Sequence, residues 1–129
     1  MITEDYVSFE TAKLLKEKGF NEECSCFYNN IDYGTPGLEV DGQLYYINSA
    51  LDDEEYAAPT LQMAMKWLRV VHRLDMDISI EYTTEKVYYY SILKRTAIRD
   101  IDCLHSETNF NSYEEACEAA IKYCLENLI

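Results

Sequence analysis

The chain has no apolar run near the ~20 residues that a membrane-spanning helix needs. Its opening, MITEDYVSFE, is acidic and lacks the basic-then-apolar order of a secretory signal. Basic residues are scarce: 11 Lys and Arg stand against 24 Asp and Glu, a net of -13. That balance repels phosphate backbones and counts against direct nucleic-acid binding. No Gly-x-Ser-x-Gly turn, no Cys-x-x-Cys pair and no spaced EF-hand carboxylates occur. The local signatures of a serine hydrolase, a common structural zinc site and a calcium loop are therefore missing. No internal repeat, low-complexity tract or linker divides the 129 residues, so one domain over 1–129 is expected.

What is present describes a folded protein. Apolar residues make up 48% and charged ones 27%, a globular rather than a disordered balance. The five cysteines, at 24, 26, 103, 117 and 124, are odd in number and no export signal accompanies them. Reduced thiols in a cytoplasmic protein are the expectation. The charge is uneven: residues 1–58 hold 13 acids and 3 bases, and residues 59–129 hold 11 acids and 8 bases.

Periodicity and punctuation predict the elements. Ser8 caps FETAKLLKEKGF as a first helix that Gly19 stops. CSCFYN, 24–29, reads as a strand, NNIDYGTPG as turns, and LEV-DG-QLYYI as a hairpin about Asp41-Gly42. SALDDEEYAAP, 49–59, is expected as an acidic loop. Thr60 is the expected cap of TLQMAMKWLRVVHRL, a helix apolar nearly all round and so mostly buried, with Trp67, Met63 and Met65 in the core. Its polar stripe is Gln62, Lys66, Arg69 and Arg73.

MDISIEY alternates Ile78, Ile80 and Tyr82 against Ser79 and Glu81, and forms a second hairpin with VYYYSIL. Residues 95–111 stay open between a further strand and an irregular one. Ser112 with Glu115 makes a capping box for a last helix whose buried stripe is Tyr113, Cys117, Ala120, Cys124 and Leu128. The expected fold is α+β: a largely antiparallel sheet of four to five strands with about three helices packed on it, in the order α-β-β-α-β-β-α.

The stretches VSFETAKLLKEKGF, YAAPTLQMAMKWLR and SYEEACEAAIKYCLENLI resemble small uncharacterised proteins carried by Bacteroidetes genomes and their phages or other mobile elements. The resemblance covers about half the chain. It implies an accessory protein that binds host or phage components, and it supplies no activity, ligand or catalytic residue.

Four groups of residues are candidates for function. Cys24 with Cys26, and Cys103 with His105, are pairs two apart on strands. Residues so spaced share a face, so together they would offer a Cys₃His zinc set; buried or partly exposed thiols are the competing reading. A cysteine nucleophile would need His72 or His105 as its base. Asp52, Asp53, Glu54 and Glu55 are read as a divalent-cation contact through their oxygens, as a solvated loop that starts a helix, or as a surface for a basic partner. Lys66, Arg69 and Arg73 form a basic stripe, read as an anion contact or as a solvated or ion-paired face. Tyr88, Tyr89 and Tyr90 must alternate sides on a strand, so one ring faces away from the core unless both faces are covered, and tyrosine suits interfaces.

Two functions compete. One is a non-enzymatic protein that binds a basic protein partner through acidic and tyrosine-bearing surfaces. The other is a small metal-binding or cysteine-dependent enzyme built on Cys24, Cys26, Cys103 and His105. Homo-oligomerisation through a strand edge is compatible with the first. No cofactor is expected.

Overall fold

The computed structural model describes residues 1–29, 37–40, 45–82 and 85–129. The Asp41-Gly42 turn, most of the turn-rich stretch after Tyr28 and the first two residues of the TTEK loop lie outside them. The contacts divide the chain into two compact units, Met1–Gln62 and Met63–Ile129.

In the first unit, α1 covers Phe9–Glu17. The Ser8 hydroxyl accepts from the Thr11 N–H at 3.2 Å, occupying one of the amides left open at the helix start. Gly19, at φ 91°, ends the helix. Its left-handed backbone lets Phe20 N–H reach Leu15 O and Gly19 N–H reach Lys16 O, the paired bonds of a Schellman stop. The helix buries Thr11, Ala12 and Leu15. Phe9 sets its ring edge-on to Tyr28 and Tyr56.

Strands β1 (Cys26–Asn29), β2 (Gly37–Val40) and β3 (Glu55–Ala57) form an antiparallel sheet in the order β2-β1-β3. The expected loop at 49–59 thus contains a strand. A 3-10 turn, Asn48–Ala50, precedes it. The buried Asn48 holds this corner together. Its Nδ2 donates to Phe20 O at 2.8 Å, and its Oδ1 accepts from Ala57 N–H at 2.9 Å. One side chain so joins the end of α1 to β3. Beyond β2, Tyr46 makes an isolated bridge with Cys24.

Helix α2 spans Leu61–His72. It is half buried rather than apolar all round. Leu61, Ala64, Met65, Trp67 and Leu68 are buried, while Met63, Val70 and Val71 are exposed. Met63 and Val70 lie on the same side as Lys66 and Arg69, whereas Val71 follows Trp67 and Leu68 on the covered side and is exposed at the last turn. Arg73, at φ 58°, occupies the left-handed position where the helix stops.

The second unit contains β4 (Asp75–Tyr82), β5 (Lys86–Ala97) and β6 (Asp100–Phe110), paired antiparallel as β4-β5-β6. The open stretch at 95–111 is therefore mostly strand. Helix α3, Tyr113–Asn127, packs across β5, β4 and β6. Ser112 Oγ accepts from Glu115 N–H at 3.1 Å, and Glu115 Oε2 accepts from Asn111 N–H at 3.0 Å. The reciprocal bond of the box falls one residue early. The buried stripe is Ala116, Cys117, Ala120, Ile121, Cys124 and Leu125. It is rotated from the expected one, so Tyr113 and Leu128 sit at its margins.

Among the described residues the fold is α+β with three helices and antiparallel strands. Its strands fall into two three-stranded sheets instead of one sheet of four to five. The added strands are β3 and β6. The first is only three residues long, and the second is broken by bulges, which blurs the alternation that marks a strand.

Candidate functional site

The acidic segment is a tight turn. Glu55 N–H donates to Asp52 O at 3.0 Å, and Asp52 N–H donates to Glu55 Oε1 at 3.0 Å. Lys16 on α1 reaches this turn and donates to the backbone carbonyls of Asp52 and Glu55, both at 2.8 Å. Its ammonium also lies 5.3 Å from the Tyr56 ring centre. The nearest lysine therefore spends its donors on the backbone. Asp52, Asp53 and Glu54 stay exposed, and among the described residues none of the three pairs with a basic side chain. Glu55 is half-buried and used within the turn.

The cysteine and histidine candidates are divided between the two units. Cys24 and Cys26 belong to the first unit, and Cys103 and His105 to the second. Cys103 and His105 do not share a face. Their partners across β5 are Leu93 and Ile92, with a register shift between those two pairs. The extra residue, Leu104, reverses the alternation, because a bulge sets two residues against one. His105 turns toward α3 and stacks on Tyr123, with ring centres 3.8 Å apart and planes 2° from parallel. Cys103 takes the opposite face and meets Ser106 Oγ at 3.2 Å. Among the described residues, no group of three or more His, Cys, Asp or Glu is placed to hold a metal.

Nor are Cys24, Cys117 and Cys124 prepared for attack. Burial pushes Cys24 up to about 12, with Cys26 and Glu22 adding to the effect. Burial likewise takes Cys124 to about 12 and Cys117 to about 11. A nucleophilic cysteine needs the opposite shift, since the thiolate is the reacting species. His72 sits edge-on to Trp67, ring centres 4.7 Å apart. Lys66, Arg69 and Arg73 are exposed on α2 and just past it.

The tyrosines alternate as expected. Tyr90 faces α3 and is fully buried; Tyr89 points to the opposite side of the sheet. Tyr88 lies on the Tyr90 side, between Ile80 and Phe110. The Tyr90 hydroxyl donates to Glu107 Oε2, and the same oxygen lies 3.4 Å from His105 Nε2. Burial, then the bond to Glu107, keeps the phenol protonated far above its ordinary range. Tyr90 thus acts as a donor. With His105 on Tyr123, it ties β5 and β6 to α3. Glu107 and Tyr123 were not among the sequence candidates. The signals for them were His105-x-Glu107 on one strand face, and Tyr123 beside the Ala120–Cys124 stripe.

The side of the sheet away from α3 is open. It carries Asp75, Asp77, Ser79 and Glu81 from β4, Tyr89, Ser91 and Leu93 from β5, and Cys103 and Ser106 from β6. Ser79 donates to Asp77, Thr108 donates to Glu81 at 3.1 Å, and Ser91 and Ser106 share a bond of 2.8 Å. A shallow groove of about 530 Å³ lies at the hairpin end, lined by Ile80, Glu81, Tyr82, Tyr89, Ser106, Glu107 and Thr108. It combines carboxylates, hydroxyls and aromatic faces, which suits contact with another polypeptide better than enclosure of a small molecule. No helix among the described residues is long and apolar enough to cross a membrane. Comparison of the chain with protein-family models, curated proteins and solved structures finds no match.

Proposed function

We propose that this chain is a non-enzymatic, acidic protein-binding accessory protein whose partner is basic. One observation carries the reading: Asp52, Asp53 and Glu54 project from a turn that Lys16 meets at its backbone carbonyls, the only lysine contact of the turn among the described residues. Their charge is thus left for another molecule. The imbalance supports it. The unit that contains the turn holds 13 acids and 3 bases, against 11 and 8 in the rest. Complementary charge raises the rate of encounter and selects the sign of the partner. Tyr82 and Tyr89, beside the groove, add aromatic contact area, whereas the buried Tyr90 does not. A cytoplasmic site of action, with the thiols reduced, and an origin in a phage or mobile element belong to the same proposal.

The test is affinity capture with the tagged protein at low and high salt, beside the Asp52→Lys/Asp53→Lys/Glu54→Lys variant. The expected result is a basic protein held at low salt, released at high salt and lost from the variant. Partners that stay bound to the variant in both salts would overturn the reading.

A further inference from the structure

The two edges of the β4-β5-β6 sheet differ. β6 forms one edge. Its pairing with β5 carries three register shifts, and Asn109 is left-handed at φ 74°. Bulges of this kind twist an edge away from further pairing. β4 forms the other edge. Its eight pairs with β5, from Asp75 opposite Leu93 to Tyr82 opposite Lys86, run without a shift. Among the described residues, no backbone group outside the sheet bonds to it. A regular, unpaired strand is a template for another strand.

The side chains of β4 say what kind. Asp75, Asp77 and Glu81 lie on its open face, and among the described residues none pairs with a basic side chain. On its other face Ile80 is 38% and Tyr82 76% exposed. We infer that β4 receives an extended basic segment as a fourth strand. Lys or Arg at alternate positions faces Asp75, Asp77 and Glu81, and apolar residues between them cover Ile80 and Tyr82. Side chains on one face of such a strand repeat every ~7 Å, the spacing of Asp75 and Asp77 on their own strand. A second copy of the chain fits poorly: antiparallel self-pairing centred on Ile78 sets Asp75 opposite Glu81, and like charges directly opposed destabilise a ladder. The inference rests on the reading of a basic partner and adds a further contact for it, with the conformation that the segment takes there.

The test uses the full chain and a labelled eight-residue peptide of alternating Val and Lys. Two analogues carry N-methyl groups on the valines or on the lysines; they keep the charge but lose the amide donors of one edge. The parent peptide is expected to bind and to slow amide hydrogen exchange across 75–82. One of the two analogues is expected to bind at least tenfold more weakly. The Asp75→Asn/Asp77→Asn/Glu81→Gln variant is expected to bind the parent roughly tenfold more weakly.

Equal binding of the parent and both analogues, or protection mapped away from β4, refutes strand addition and leaves charge-driven binding standing. Failure of the parent peptide to bind, while affinity capture still retains a basic protein, also refutes strand addition alone. A concentration-dependent dimer that slows exchange at 75–82 without peptide gives the edge to a second copy and overturns the inference.

Discussion

Asn48 offers the sharpest test of how the first unit is held together. Its amide satisfies the Phe20 carbonyl and the Ala57 N–H, and the residue is 6% exposed. Asn48→Ala removes both bonds in a place water reaches poorly. Each buried bond lost costs about 1–3 kcal/mol, so the loss is about 2–6 kcal/mol. That is a large share of the roughly 5–15 kcal/mol by which domains are stable. Asn48→Asp separates the two bonds. The acceptor toward Ala57 survives, but the donor toward Phe20 becomes a second acceptor. Ionised, that carboxylate faces a carbonyl; protonated, it again offers a donor.

Urea melts at pH 7 and pH 4 give the free energies. Asn48→Ala should lose the same amount relative to wild type at both pH values. The Asp variant should be at least as damaged at pH 7 and recover in part at pH 4. Burial raises the pKa of the introduced carboxyl in the folded state, so its stabilising form is the one present at low pH. A loss below about 0.5 kcal/mol for Asn48→Ala would show that water replaces the amide, and the account of this corner would be wrong.

Three further outcomes follow from the same structure. Cys24, Cys117 and Cys124 have folded pKa values raised to about 12, 11 and 12, so their contribution is intact below the ordinary thiol range and is lost as pH rises toward those values; at ~1.4 kcal/mol per group per pH unit, urea melts from pH 8 to pH 10 should show a fall of about 3–4 kcal/mol, and a flat profile would contradict their burial. Arg73→Gly should stabilise by about 0.5–1 kcal/mol in thermal melts, because glycine removes the steric cost at φ 58° and gives back part of the gain as unfolded-chain entropy; a loss would mean that the arginine side chain contributes more than its backbone costs. Tyr90→Phe should cost about 0.5–1.5 kcal/mol by the same assay, since it removes one bond to a half-exposed carboxylate, and a neutral result would remove the hydroxyl from the ties between β5 and β6.

What was legible in the sequence was local. Ser8, Gly19 and Ser112 act within one helical turn of themselves, and each closes the bonds that its residue type predicts. The alternation of Ile78, Ile80 and Tyr82 with Ser79 and Glu81 survives because β4 runs without a bulge. The acidic turn, by contrast, gives no hint of β3. Glu55, Tyr56 and Ala57 become a strand because β1 offers them a partner and Asn48 anchors Ala57, neither of which a three-residue pattern can announce. The valines at 70 and 71 misled for a related reason. Apolar residues on every side of α2 suggest full burial, yet a helix is buried only on the faces that other elements reach.

The Cys103–His105 pair depended on a regular strand, and β6 is not regular there. Two residues apart on a strand share a face only if the strand is regular. Leu104 breaks the rule, and the break separates two kinds of chemistry that the sequence places side by side. His105 goes to α3, where it stacks on Tyr123 beside the Tyr90–Glu107 bond and serves the packing of the second unit. Cys103 goes to the open face, among Ser91 and Ser106, on the same side as Asp75, Asp77 and Glu81. The bulges that divert these side chains also spoil β6 as a pairing edge. β4, whose sequence alternates cleanly enough to be read in advance, keeps a regular edge, and among the described residues no basic side chain pairs with its carboxylates. The regularity that made β4 legible is the same property that leaves it open to a partner strand.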